Sequence, residues 1–238
     1  MCLILKKPAG RTIPADFLQH VWQHNPDGWG LCHRAGTPDA PRLAWTKGMA
    51  LAELLVHNAH LPREAEAWLH LRRATVGPVS HDMAHPHLVR DTPQGGLLLL
   101  HNGTLETLRP GAAPAPCSDS AELARLLGEL MHGLEEAQAA RLLRSPALAR
   151  LLQPLLAGSM VVLLDAQGEV CLGRDWVTLQ AGHWSADMAG LAVSNLQAWQ
   201  PRGLEPQATG LNGTASPWWQ AWHERARQSR RGRLARAS

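Results

Sequence analysis

Met1-Cys2-Leu3-Ile4-Leu5-Lys6 opens the chain, and its second residue decides how everything downstream is read. Removal of Met1 would make Cys2 terminal, so that one amino acid carries both a thiol and a free α-amine, a nucleophile beside a base. The amine titrates at about 7.7–8.0 and the thiol at about 8.5, so near neutral pH the amine can relay the thiol proton, directly or through one water. Such an acyl-transfer centre needs no separate histidine. Taken alone, a second-position Cys is equally a small apolar residue opening a strand. The stretch Cys2 to Lys6, ended by Pro8 and Gly10, has the apolar character of that strand.

At 238 residues the chain can bury a substantial core in one large layered domain. We expect that domain over residues 2–200, with a distinct segment at 201–238. Apolar residues make up 45% and charged residues 18%, a balance that argues for a globular fold rather than disorder. Tyr is absent from a sequence that holds ten Trp and one Phe, which removes phenolic acids and bases from consideration. The formal charge of +3 is too small to make the whole surface a polyanion binder, and its excess sits at the C-terminus. No signal-peptide layout is present, and the apolar runs fall far short of the ~20 residues that cross a bilayer. A cytoplasmic protein with no membrane contact is expected. Cys2, Cys32, Cys117 and Cys171 contain no CxxC pair, so neither a disulfide framework nor a zinc knuckle is suggested.

Along the chain, Pro14 to Gln23 reads as a short helix, Asn25-Pro26-Asp27-Gly28 as a turn, and Gly28 to Arg34 with Arg42 to Thr46 as paired strands. Met49 to His60 is helical on the spacing of Leu51, Leu54 and Leu55. Ala67 to Ala74 and Gly96 to His101 are buried strands separated by a long polar loop. After the proline-rich link Gly111 to Pro116, Ser118 or Asp119 caps a helix through Leu123, Leu126, Leu127 and Leu130, and a second helix covers about Glu135 to Leu152. Short strands follow at Ser159 to Leu164, Glu169 to Leu172, Trp176 to Gln180 and Leu191 to Val193. Strands, then helices, then strands suggest layers, without the alternation of a parallel doubly wound sheet. From Pro201 the composition turns to Pro, Gly, Gln and Thr, then Trp218, Trp219 and Trp222, then an Arg-rich end. That end is either a solvated tail or a weak electrostatic contact with nucleic acid or an acidic partner.

An acyl-transfer site on Cys2 requires donors for an oxyanion and anchors for the substrate. In His70-Leu71-Arg72-Arg73-Ala74-Thr75-Val76-Gly77, an arginine near a strand end can hold a carboxylate with its planar fork, or simply face water. His101-Asn102-Gly103 closes the Leu97 to Leu100 run. There an Asn carboxamide and a Gly N–H can point at an oxyanion, or the pair is a tight turn. Asp119 in Ser118-Asp119-Ser120 is either a helix cap or an acid that receives an ammonium. Asn25-Pro26-Asp27-Gly28-Trp29-Gly30 is a turn or a support beside the pocket.

Read together and in this order, the Met-Cys start, Asp27-Gly28-Trp29-Gly30, His70 to Gly77, Ala84-His85-Pro86-His87, His101-Asn102-Gly103 and Ser118-Asp119 resemble the class II glutamine amidotransferases. These belong to the N-terminal nucleophile (Ntn) hydrolases. Met160 to Leu164 and Ala192 to Asn195 look like the closing strands of the small stand-alone members of bacteria and phages, and the resemblance stops near Trp199. It implies an α+β fold, a four-layer αββα sandwich of the Ntn-hydrolase type. It implies Cys2 as catalytic nucleophile, Asn102 and Gly103 as the oxyanion hole, and Arg72, Thr75 and Asp119 as the groups that hold the α-carboxylate and α-ammonium of glutamine. No cofactor is implied. The substrate would be glutamine or another γ-glutamyl small molecule, with ammonia released or passed to an ammonia-accepting partner enzyme. Two positions depart from the family's pattern: Val76 stands where sugar-synthase members often carry His, and Met83 where Asn is expected before Ala84.

A different class of function keeps the fold but idles the chemistry, leaving a binding module whose Arg-rich tail contacts nucleic acid. Metal binding is not expected. His81, His85 and His87 cluster in sequence and His101 can join them, yet no Cys or acidic residue recurs at ligand offsets and Pro86 fixes the backbone between two rings.

Overall fold

The computed structural model describes residues 2–109, 116–156 and 158–199. Met1, most of the 111–116 link and the segment 201–238, with the expectations attached to them, lie outside the described residues. The strands are β1 (Leu3–Lys7), β2 (Trp29–Thr37), β3 (Ala40–Gly48), β4 (Ala67–Leu71), β5 (His87–Arg90), β6 (Leu97–Asn102), β7 (Met160–Asp165), β8 (Gly168–Gly173), β9 (Val177–Thr178) and β10 (Ala192–Val193). The α-helices are α1 (Ala15–Trp22), α2 (Leu51–His60), α3 (Asp119–Leu130), α4 (Glu136–Leu143) and α5 (Pro146–Leu152). One sheet has the order β3-β2-β4-β1-β10-β9 and the other β5-β6-β7-β8. All the pairings within them are antiparallel.

Strand side chains alternate between faces, and in this protein both faces of each sheet are covered. Leu3 and Leu5 of β1, with Leu69 and Leu71 of β4, share a cluster with Phe17, Leu18 and Val21 of α1 and Leu54 of α2. Leu97 and Leu99 of β6, with Val161 and Leu163 of β7, pack with Leu123 and Leu127 of α3, Leu143 of α4 and Leu148 of α5. The remaining parity, Ile4, Cys32 and Trp68 from the first sheet and Leu98, Leu100, Met160 and Val162 from the second, forms a third cluster between the sheets. That double covering explains the unbroken run Leu97 to Leu100, because a strand buried on both faces has no solvent side to write in polar residues. Each such side chain contributes about 1.5–3 kcal/mol on burial.

Three expectations need correction. The long polar loop contains a strand, β5, which sits at the sheet edge and pairs with β6 through a register shift between Leu88 and Arg90. The single helix expected over Glu135 to Leu152 is two, because Pro146 has no N–H to donate and instead takes the first position of α5, capped by the Ser145 hydroxyl. The strand expected to reach Ala74 ends at Leu71, and the following residues turn away to build the site.

Gly30 of β2 is required by a close approach. A Cβ there would collide with the carbonyl of His85 and with Pro86, so the inner face of β2 is where the His85 segment docks. Gly30→Ala is expected to destabilise the protein by roughly 1–3 kcal/mol through overpacking, read as a lower denaturant midpoint. An unchanged midpoint would mean that this segment is not held against β2.

Candidate active site

Antiparallel pairing brings the start of β1 to the end of β4, with Leu3 opposite Leu71, so the next residues outward, Cys2 and Arg72, become neighbours. The Cys2 sulfur rests on the backbone of Arg73, accepting from its N–H at 3.4 Å and lying 3.5 Å from its carbonyl oxygen. The Arg72 guanidinium is buried, and its fork donates to the carbonyls of Pro78 at 2.8 Å and Val76 at 3.1 Å. Asp27 braces this corner: its carboxylate accepts the Ala74 N–H at 2.8 Å, and its own N–H donates to the Arg72 carbonyl at 3.0 Å.

Opposite this corner are the ends of β6 and α3. The N-cap of α3 is Ser118, whose hydroxyl accepts the Ala121 N–H at 3.1 Å, so Asp119 does not serve as the cap. Its buried carboxylate instead accepts the N–H groups of Leu105 at 2.7 Å and Ser120 at 2.9 Å. Gly103 holds φ at +146°, and a Cβ there would run into the Ser159 side chain, so the position requires glycine.

Cys2, Arg72, Thr75, Gly103 and Asp119 line one cleft, together with His85 and His101. Five of the six residues singled out in the sequence thus meet. Asn102 does not line the cleft: it is buried, and its Nδ2 donates to the Ser194 hydroxyl at 2.8 Å. A larger hollow of about 430 Å³ lies between β5 and the C-terminal end of α3, lined by Val89, Arg90, Arg125 and His132. It contains none of these residues and offers no nucleophile.

Burial pushes the Cys2 thiol up from its ordinary value, against the opposing pull of the Arg73 N–H and the Arg72 charge. A thiol in this setting is protonated at neutral pH and needs a base to become a nucleophile. Beside it lie four buried histidines. His70 donates from Nε2 to the His101 carbonyl at 3.0 Å, and its ring stacks on His85 at 3.8 Å. His85 meets His87 edge-on at 4.5 Å, and His101 Nδ1 is 2.8 Å from the Ser120 hydroxyl. Burial holds His70 and His87 down at about 3, His85 well below its ordinary value and His101 at about 4, so all are neutral imidazoles. His81, grouped with these in the sequence, is exposed and lies near Lys47 and Asp82 instead. The stacked His70 and His85 rings cannot direct their lone pairs at one ion.

Sequence reading picks out the stretch Ala192 to Asn195 but assigns nothing to Ser194 or Asn195 individually. The Ser194 hydroxyl meets the Ile4 N–H at 3.0 Å as well as Asn102, and Asn195 Nδ2 donates to the Cys2 carbonyl at 3.2 Å. The last described segment therefore ties Cys2 and β1 to the end of β6. His70 and Ser120 stand inside the quoted stretches His70 to Gly77 and Ser118-Asp119-Ser120, but sequence reading gives neither a role of its own.

Among solved structures, the chain is similar to the glutamine phosphoribosylpyrophosphate amidotransferase from B. subtilis, complexed with ADP and GMP. The TM-score is 0.50 at 17% identity, over 83% of this chain and 42% of that one. A structure described as the allosteric regulatory enzyme of purine biosynthesis aligns over the same shares at TM-score 0.47 and 17% identity. No protein-family model and no curated protein sequence matches the chain. At this identity the first likeness shows a shared fold, and the chain spans less than half the length of either structure.

Proposed function

We propose that this chain is a glutamine-type amidohydrolase that works through an N-terminal Cys2. The observation that carries the reading is the convergence, in one cleft, of a thiol, a buried arginine fork, a buried carboxylate and a glycine held at positive φ. These are the anchors that a free amino acid with a side-chain amide requires. The four-layer αββα architecture belongs to the same reading, supported by the three separate apolar clusters, one between the sheets and one under each set of helices.

In this mechanism Arg72 and Thr75 hold the substrate carboxylate and Asp119 its ammonium, which fixes the amide carbon against Cys2. After removal of Met1, the α-amine takes the thiol proton as sulfur attacks that carbon. The oxyanion that forms is met by the Gly103 N–H and the Asn102 carboxamide. The proton passes to the leaving nitrogen, the C–N bond breaks, and ammonia departs from the thioester. Water then adds, the C–S bond breaks, and glutamate leaves as the thiol regains its proton. Arg72 has a second duty, since its charge offsets part of the burial that keeps the thiol protonated. The released ammonia goes to solvent or to a partner that consumes it.

The test is an assay of purified full-length protein for stoichiometric ammonia and glutamate from glutamine, run beside γ-glutamyl conjugates and with mass spectrometry of the N-terminus. Turnover of glutamine by protein that begins at Cys2 is the expected result. Faster turnover of a conjugate would move the substrate to another γ-glutamyl amide, and no turnover of either by the processed protein would overturn the proposal.

A further inference from the structure

The hydrogen bonds around Ser194 do not balance as an Asn102 donor would require. Three N–H groups face its hydroxyl oxygen: Ile4 N–H at 3.0 Å, Asn102 Nδ2 at 2.8 Å and Asn195 Nδ2 at 3.3 Å. A hydroxyl has two lone pairs and one proton of its own. Two of the donors are beyond dispute. Ile4 presents a backbone N–H, and the Asn195 carboxamide is oriented by the Ala198 N–H, which donates to its Oδ1 at 2.7 Å. Those two fill the lone pairs, so only the hydroxyl proton is left for Asn102. Meanwhile Asn102 Oδ1 is buried with no hydrogen-bond partner among the described residues.

We propose that Ser194 is the positioning residue for the oxyanion donor. Its hydroxyl donates to Asn102 Oδ1, and the carboxamide stands with Nδ2 where a lone Oδ1 would otherwise be left unpaired, both its hydrogens free for a developing oxyanion. An Asn side chain occupies the same space in either orientation, so the network around it decides between them. The turned orientation satisfies the Ser194 proton and Asn102 Oδ1 together, and it leaves Nδ2, in the buried place that now holds the unpaired Oδ1, as a donor without a protein acceptor among the described residues. Parity agrees with the role. Ile4 faces the layer between the sheets, Cys2 shares its face, and so do Asn102, two residues beyond Leu100, and Ser194, one beyond the oppositely directed Val193. One hydroxyl therefore links the strand of the nucleophile to the strand of the donor, while Asn195 fixes the Cys2 carbonyl from the same segment. This assignment rests on the amidohydrolase reading, in which Asn102 serves the oxyanion.

Neutron diffraction from the deuterated full-length protein tests the orientation directly, because nitrogen and oxygen scatter differently and deuterons are visible. The expected map has a deuteron on Ser194 Oγ directed at Asn102 Oδ1. A pair of deuterons on the Asn102 atom nearest Ser194 would overturn the proposal. For activity, Ser194→Ala is expected to lower kcat by about 10–100-fold, less than or comparable to removal of an oxyanion donor, with KM for glutamine within about twofold and the rate of Cys2 alkylation unchanged. Equal kcat in wild type and Ser194→Ala would also overturn it. Absence of glutamine turnover in the wild type counts against the amidohydrolase reading alone, since the neutron map still decides the hydrogen bonding, as it does if Ser194→Ala fails to fold.

Discussion

Cys2→Ala is expected to lower glutamine turnover by at least about 10⁴-fold, as loss of a covalent nucleophile does elsewhere, while the fold persists. The side chain is only half-buried and lies one residue before β1, so its removal leaves no sealed cavity in the core. No other cysteine can substitute. Cys32 is fully buried with its thiol pushed far up, and Cys171 is held up at about 11; Cys117 lies at the edge of α3 rather than among the residues lining the cleft. Burial keeps the thiol protonated as it stands, and in the proposed mechanism the base that takes its proton is the α-amine that Met1 removal would expose. An uncleaved N-terminal extension converts that amine into a peptide nitrogen without basicity, and is expected to silence turnover almost as completely as the alanine variant. Substantial turnover by the extended protein would assign the proton transfer to another group. Retained turnover in Cys2→Ala would remove the nucleophile itself from the mechanism.

The parts of the fold legible in the sequence were those with strong local signals. Leu97 to Leu100 announced a doubly buried strand, and the Ser118 cap with Leu123 and Leu127 announced α3. β5 was illegible because His87 and Arg90 read as loop residues, yet His87 is buried against neighbouring rings and Arg90 reaches the Leu134 carbonyl. Lys7 was excluded from β1 for a similar reason. A lysine reads as a surface residue, but this one is buried and its ammonium caps the backbone carbonyls of Pro8, Arg63 and Ala65. In the site, the motif residues were visible because each sits at a strand or helix end where chemistry has a short vocabulary. The hydroxyl and carboxamide that organise them were not, because Ser194 and Asn195 lie some ninety residues beyond Asn102, and while the pairing of β1 with β10 sets Ser194 beside Ile4, only the packing of one sheet on the other brings it to Asn102 at the end of β6.

The same burial that hides polar groups predicts sharp acid lability. His70, His85, His87 and His101 are charged below about pH 6.5 in an unfolded chain, whereas in the fold burial holds three of them at about 3, about 3 and about 4 and His85 well below its ordinary value. Arg72 and Lys47 add repulsion against any proton arriving there, and Asp119 offers only His101 partial relief. Between those values and about pH 6.5 the unfolded state binds more protons than the native one, so stability falls as pH falls. The slope is roughly 1.4 kcal/mol per pH unit for each neutral histidine, hence about 5 kcal/mol per unit for the group near pH 5. A domain of ordinary stability, about 5–15 kcal/mol, is exhausted by that loss within about one to three units. Denaturant titrations followed by tryptophan fluorescence are expected to show the unfolding midpoint nearly constant at pH 7–8 and dropping steeply from about pH 6. Replacing His85, whose two ring nitrogens have no hydrogen-bond partner among the described residues, by Phe should make that drop shallower by about one proton. A midpoint that stays level down to pH 5 would show that the native cluster takes up protons freely, and with that the sealed, neutral interior described beside Cys2 would be wrong.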